Sequence, residues 1–191
     1  MRLPCIFRRE PDFIIGGNDD PYLLRWYVIP RNRWFNIYLH KFLRDDDDRA
    51  LHDHPWWSLA LILKGSYTQR LPGGKAVHRK PGRLVLRRPE HAHRVELLRR
   101  CPVRIENGGF HCGDTTLVPA WTLFITGPRL RKWGFHCPNG WRHWEEFTSP
   151  ADKGQVGRGC ESRPNRKPCA TCRSPHTARW LACGCRRRIC R

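Results

Sequence analysis

Residues 51–67, LHDHPWWSLALILKGSY, decide how the rest of the chain is read. Two histidines one residue apart lead into a long apolar segment that Gly65 closes. Side chains of an extended strand alternate between faces, so His52 and His54 emerge on the same face, close enough to hold one metal ion. Trp56, Ser58, Ala60 and Ile62 continue the histidine face, and Trp57, Leu59, Leu61 and Leu63 form the other. Both faces are largely apolar, which predicts a central strand covered on both sides, its histidine face lining a cavity. A second stretch, GRLVLRRPEHAHRVEL at residues 82–97, carries another His-x-His pair, His91 and His93. Neutral imidazole is a ligand for Zn, Fe, Mn, Cu and Ni alike, so His52, His54 and His93, with His91 as a fourth, form the candidate metal set.

Working outward, residues 22–30 and 34–43 read as strands joined by a short turn. In the second, Trp34, Asn36, Tyr38, His40 and Phe42 share one face, and Tyr38 and His40 would line the pocket if that face points inward. Further strands are expected at 54–64, 67–71, 83–88, 92–98, 117–126 and 130–136, and 141–147 ends the regular part. Gly65, Pro72-Gly73-Gly74 and Gly127-Pro128 mark turns, and 99–116 reads as a long loop. About eight to ten short strands without helical periodicity indicate an all-β sandwich or barrel, with a jelly roll the natural choice. The run Asp45 to Asp48 reads as a solvated loop, or as a carboxylate placed to orient an imidazole.

The wording DFIIGG, RWYVIPRNRWFN, ALHDHPWW, EHAHRVEL, TLFITGPR and KWGFHCPNGW, spread between Asp12 and Phe147, resembles that of small cupin-like proteins of bacteriophages and bacteria, within the cupin superfamily. The resemblance implies a double-stranded β-helix, a jelly-roll barrel, with one divalent metal. The superfamily holds that metal through the first His-x-His pair, a glutamate a few residues later and a histidine of the second motif. His52, His54 and His93 match the histidines, but Trp57, Ser58 and Leu59 stand where the glutamate is expected. The resemblance therefore implies a three-histidine site, as in cupin thiol dioxygenases, or a four-histidine site completed by His91. Fe(II) is the expected metal, with Zn, Mn or Ni as alternatives. Lacking an anionic ligand, the metal would favour a small anionic substrate, and Arg88, Arg129 and Arg131 are candidates to clamp its carboxylate or phosphate. The expected role is a dioxygenase-like metal enzyme. The alternatives are a ligand- or metal-sensing cupin whose basic surface binds nucleic acid, and a part in nucleotide or DNA modification.

The chain of 191 residues has 36 basic against 17 acidic residues, a formal charge of +19. Such a surplus favours polyanions or small anionic substrates without choosing between them. No apolar run is long enough to span a membrane, and the first residues lack the pattern of a secretory signal, so a cytoplasmic location is expected. The ten cysteines are accordingly read as reduced thiols or metal ligands. The expected organisation is an irregular arm at 1–21, a barrel at 22–148 and a basic, Cys-rich, disordered tail at 149–191. In that tail Cys169, Cys172, Cys183 and Cys185 leave a small zinc element as the alternative. Four large apolar side chains on the outer face of the central strand require a cover, supplied by the arm, an opposite sheet or a second copy in a homodimer.

Overall fold

The computed structural model describes residues 9–46, 50–106, 109–149 and 157–161. The expectations for the tail cysteines lie outside these residues, as do Asp47 and Asp48. In chain order the strands are β1 (Phe13–Ile15), β2 (Leu23–Tyr27), β3 (Asn36–Phe42), β4 (Leu51–His52), β5 (Ser58–Lys64), β6 (Tyr67–Arg70), β7 (Ala76–Arg79) and β8 (Leu84–Arg87). They continue as β9 (Arg94–Arg100), β10 (Val103–Glu106), β11 (Gly109–Cys112), β12 (Thr116–Val118), β13 (Ala120–Thr126), β14 (Gly134–Cys137) and β15 (Gly140–His143), followed by one helical turn, α1 (Trp144–Phe147).

Two antiparallel sheets face each other. The first runs β3-β13-β5-β8, and β1 and β2 extend it beyond β3. The second runs β12-β9-β6-β7, and the three-stranded sheet β15-β14-β4 joins it through a bridge between His52 and His93, the residue just ahead of β9. The chain therefore passes back and forth between sheets in the strand order of a jelly roll, and the fold is the double-stranded β-helix. Ala60, Ile62, Val85 and Ala120 of the first sheet meet Tyr67, Val95 and Leu97 of the second in a continuous apolar core. At that end the chain turns at Gly65, where φ is +72° and an added Cβ would lie 2.3 Å from the Pro119 carbonyl oxygen, so only glycine fits.

Alternation along β5 follows the sequence pattern: Ser58, Ala60 and Ile62 are buried, while Leu59, Leu61 and Leu63 lie on the outer side. The face of β3 that looks inward carries Tyr38 and His40. Elsewhere the structure departs from expectation. Residues 9–21 are not wholly irregular, since Phe13–Ile15 pairs with β2 and sends Phe13 and Ile15 into the barrel cavity rather than over the outer face. The expected loop at 99–116 contains the hairpin β10–β11, whose Cys101 and Cys112 form a disulfide. Residues 157–161 dock on the barrel: Arg142 donates to the carbonyl of Gly159 at 2.7 Å, and Cys160 is disulfide-bonded to Cys137. These four cysteines are thus paired, not reduced. Among the described residues no helix is long and apolar enough to cross a membrane.

Candidate metal centre

The site is built on one rung of the β-ladder. His52 and His93 exchange both backbone hydrogen bonds, N–H to C=O at 2.9 and 3.0 Å, which fixes their side chains next to each other on the inner face. The backbone N–H of His54 donates to the Pro89 carbonyl at 3.0 Å, holding the extended segment against the second motif. The three rings then gather, with centroids 4.8 Å apart for His52–His93 and 5.1 Å for each of the other pairs. One nitrogen from each lies within 4.8 Å of the others. Three such points fit a circle of radius about 2.8 Å, close to the metal–nitrogen bond of about 2.1 Å, so small ring rotations suffice to place an ion.

The donor chemistry suits a cation. Nδ1 of His93 is 3.1 Å from the His91 carbonyl oxygen, which can only accept, so Nδ1 carries the proton and Nε2 keeps its lone pair. Burial, reinforced by the His52 ring and the Arg87 guanidinium, holds the His54 and His93 imidazolium forms well out of favour, so both rings are neutral ligands at neutral pH. Asp46 stands 3.7 Å from His52 Nδ1 and accepts the Val95 N–H at 2.7 Å, so the acidic stretch supplies a carboxylate beside a ligand.

Asp53, between the two histidines of the first motif, points the opposite way and is fully buried. Its carboxylate accepts from the Gly134 N–H at 2.8 Å and Trp141 Nε1 at 3.0 Å, lies 3.1 Å from His136 Nε2, and pairs with Arg131 at 2.9 Å. It ties the His-x-His segment to β14 and β15. Behind the ligands Trp133 stacks on Trp144, and Phe135 on Phe147.

The three histidines open into a cavity of about 360 Å³, lined mainly by aromatic and aliphatic side chains together with Arg25, His40, Asp46, Thr122 and Arg87. His40 is buried, and its Nε2 accepts from Arg25 Nε at 2.9 Å, so its proton sits on Nδ1. Burial and the Arg25 charge keep this ring neutral too. Tyr38 packs under the Arg25 guanidinium, 4.7 Å from ring centroid to Cζ, and is not on the cavity wall. His91 is exposed and outside the three-histidine set. Arg88 and Arg129 are also exposed and away from the cavity, and Arg131 is engaged by Asp53. Sequence reading missed Arg87 and Arg25. Alternation could have found Arg87, which shares a face of β8 with the buried Val85.

No family model matches the sequence, and no curated protein matches it. Solved structures do resemble it. One is an uncharacterised protein of Klebsiella pneumoniae with a double-stranded β-helix domain, 14% identical, covering 64% of this chain and 90% of that one with a TM-score of 0.42. A cupin-superfamily protein of Desulfitobacterium hafniense is 13% identical over 67% of this chain and 91% of its own, TM-score 0.42. A DMSP lyase of Ruegeria pomeroyi is 16% identical over 66% of this chain and 58% of its own, TM-score 0.43.

Proposed function

We propose that the protein is a mononuclear metal enzyme acting on a small molecule inside the barrel, with Fe(II) the expected ion at His52, His54 and His93. The observation that carries this reading is the convergence of three histidines at the wall of a mostly apolar cavity. A divalent ion held by three neutral histidines supplies Lewis acidity and, if redox-active, a site for dioxygen chemistry. The chain's own residues set the conditions around it. Three uncharged ligands bring no negative charge to the ion, the Asp46 carboxylate stands behind His52, and Arg25 and Arg87 add to the positive potential of the cavity. Trp133, Phe135, Trp56 and Phe124 surround the ligand rings and limit water near them. The His91 carbonyl holds His93 in orientation, and the Asp46 carboxylate stands beside His52.

The experiment is oxygen uptake by Fe(II)-loaded protein, anaerobically reconstituted, with a panel of small organic acids and thiols. Uptake that one substrate stimulates, and that His54→Ala abolishes, is expected. Substrate turnover equal in wild type and His54→Ala would remove the reading.

A further inference from the structure

We infer that Arg87, with the indole N–H of Trp56, anchors the carboxylate of a small organic acid beside the three histidines, an inference that rests on the proposed enzyme reading for the role of the metal.

Arg87 is 4% exposed and lies on the cavity wall, yet it has no ion pair among the described residues. Its Nη2 donates to the Tyr67 hydroxyl oxygen at 3.4 Å, and its Nε is buried without a hydrogen-bond partner. Tyr67 Oη, accepting there, keeps its own proton available. Trp56 Nε1, also at the cavity wall, is a second buried donor with no acceptor. Both line the one cavity, and the chain brings them to the same end of it: Ser58 is the register partner of Arg87, and Trp56 lies two residues ahead of Ser58. Trp56 in turn stacks on the ligand His54, with centroids 6.4 Å apart.

Five other arginines of the barrel are already engaged. Arg131 pairs with Asp53, Arg99 with Asp45, Arg70 and Arg94 with Glu96, and Arg25 donates to His40 and lies over Tyr38. A buried guanidinium without a counter-charge opposes folding unless a ligand completes it. Arg87 Nε and Trp56 Nε1 can only donate and the Thr122 hydroxyl can do so too, so an acceptor completes them, and the planar guanidinium edge matches a carboxylate. The rest of the wall, including Phe42, Phe124 and Val95, is apolar and suits the acid's hydrocarbon body.

The test uses the full-length protein, metal-free and Co(II)-loaded, titrated with sodium benzoate, sodium butyrate and inorganic phosphate at constant ionic strength. Calorimetry reports affinity and thermal melting reports stability. Wild type is expected to bind at least one of the acids saturably. Arg87→Met should weaken that binding at least about tenfold, as loss of a charge-assisted hydrogen bond implies, Arg87→Lys should retain part of it, and ligand-free Arg87→Met should melt no lower than wild type. Trp56→Phe, which keeps the ring and deletes the N–H, should weaken binding about threefold or more and decides the matter if Arg87→Met does not fold. Unchanged acid affinity in either Arg87→Met or Trp56→Phe overturns the inference, as does phosphate binding more tightly than both acids. Arg87-dependent acid binding in a protein that takes up no Co(II) would keep the anchor and remove the metal reading. Co(II) uptake with no acid bound would do the reverse.

Discussion

The two faces of the six-stranded sheet differ in an unexpected way: polar side chains interrupt the inner, core-forming face, while large leucines stand on the outer one. The inner face carries His40, Ser58, Arg87, Thr122 and Thr126, all buried, while the outer face carries Leu63, Leu84 and Leu86 at 42%, 61% and 72% exposure. Register lines up the outer side chains in cross-strand rows, Leu86 with Leu59 and Ile125, and Leu84 with Leu61 and Leu123. Burying polar groups inside a barrel costs free energy unless they are satisfied. Inner-face hydroxyls and donors without partners therefore point to ligand chemistry, and the outer rows to packing. One strand serves both because its side-chain period is two.

The largest effect expected on this contrast comes from Asp53→Ala. It leaves Arg131 without its counter-charge and strips buried donors of their acceptor, at a cost of about 3–5 kcal/mol, measured by urea denaturation of the metal-free protein. A loss below about 1 kcal/mol would show that the His-x-His segment is held by packing instead.

Acidification should then separate the faces. His40 is neutral in the folded barrel because burial, and secondarily Arg25, depress its pKa. In the unfolded chain it titrates near the ordinary value of about 6.5, so unfolding takes up a proton below that pH. Stability is fully present above about pH 6.5 and falls as pH drops further. A His40→Gln variant should show a shallower decline than wild type in melts across that window, and an identical decline would place the titrating group elsewhere.

The smallest effects are a matched pair. Thr122→Val removes a buried hydroxyl that has no partner among the described residues and should be neutral or stabilising by up to about 1 kcal/mol. Leu86→Thr, on the exposed outer edge, should stay within about 0.5 kcal/mol. A large destabilisation by Leu86→Thr alone would mean that the outer row is covered in solution.

The barrel and the three histidines were legible because both rest on local alternation. His52 and His54 share a face by spacing, and the apolar run that follows them makes the central strand. What was missed is mostly one residue off or far away in sequence. Arg88 is the sequence candidate, but its neighbour Arg87 and Val85 alternate inward while Leu84 and Leu86 face out. The hairpin β10–β11 falls in the stretch expected as loop, although Asn107-Gly108 between Val103–Glu106 and Gly109–Cys112 is a turn signal for two short strands. The acidic run could not be assigned locally. Asp45 accepts the Leu97 N–H at 2.6 Å and Asp46 the Val95 N–H at 2.7 Å, pairings across about fifty residues that only the closed barrel creates. Asp53 is likewise silent in the sequence, because its partners Gly134, His136 and Trp141 come from β14 and β15.

The central claim is that His52, His54 and His93 hold one metal ion and His91 does not. Co(II) titration of the metal-free protein, followed by visible absorption and by elemental analysis after gel filtration, tests it most directly. The account predicts one ion per chain, affinity lowered at least about 100-fold in each of His52→Ala, His54→Ala and His93→Ala, and His91→Ala indistinguishable from wild type. Unchanged Co(II) affinity in the His93→Ala variant, or its loss in His91→Ala, would contradict it.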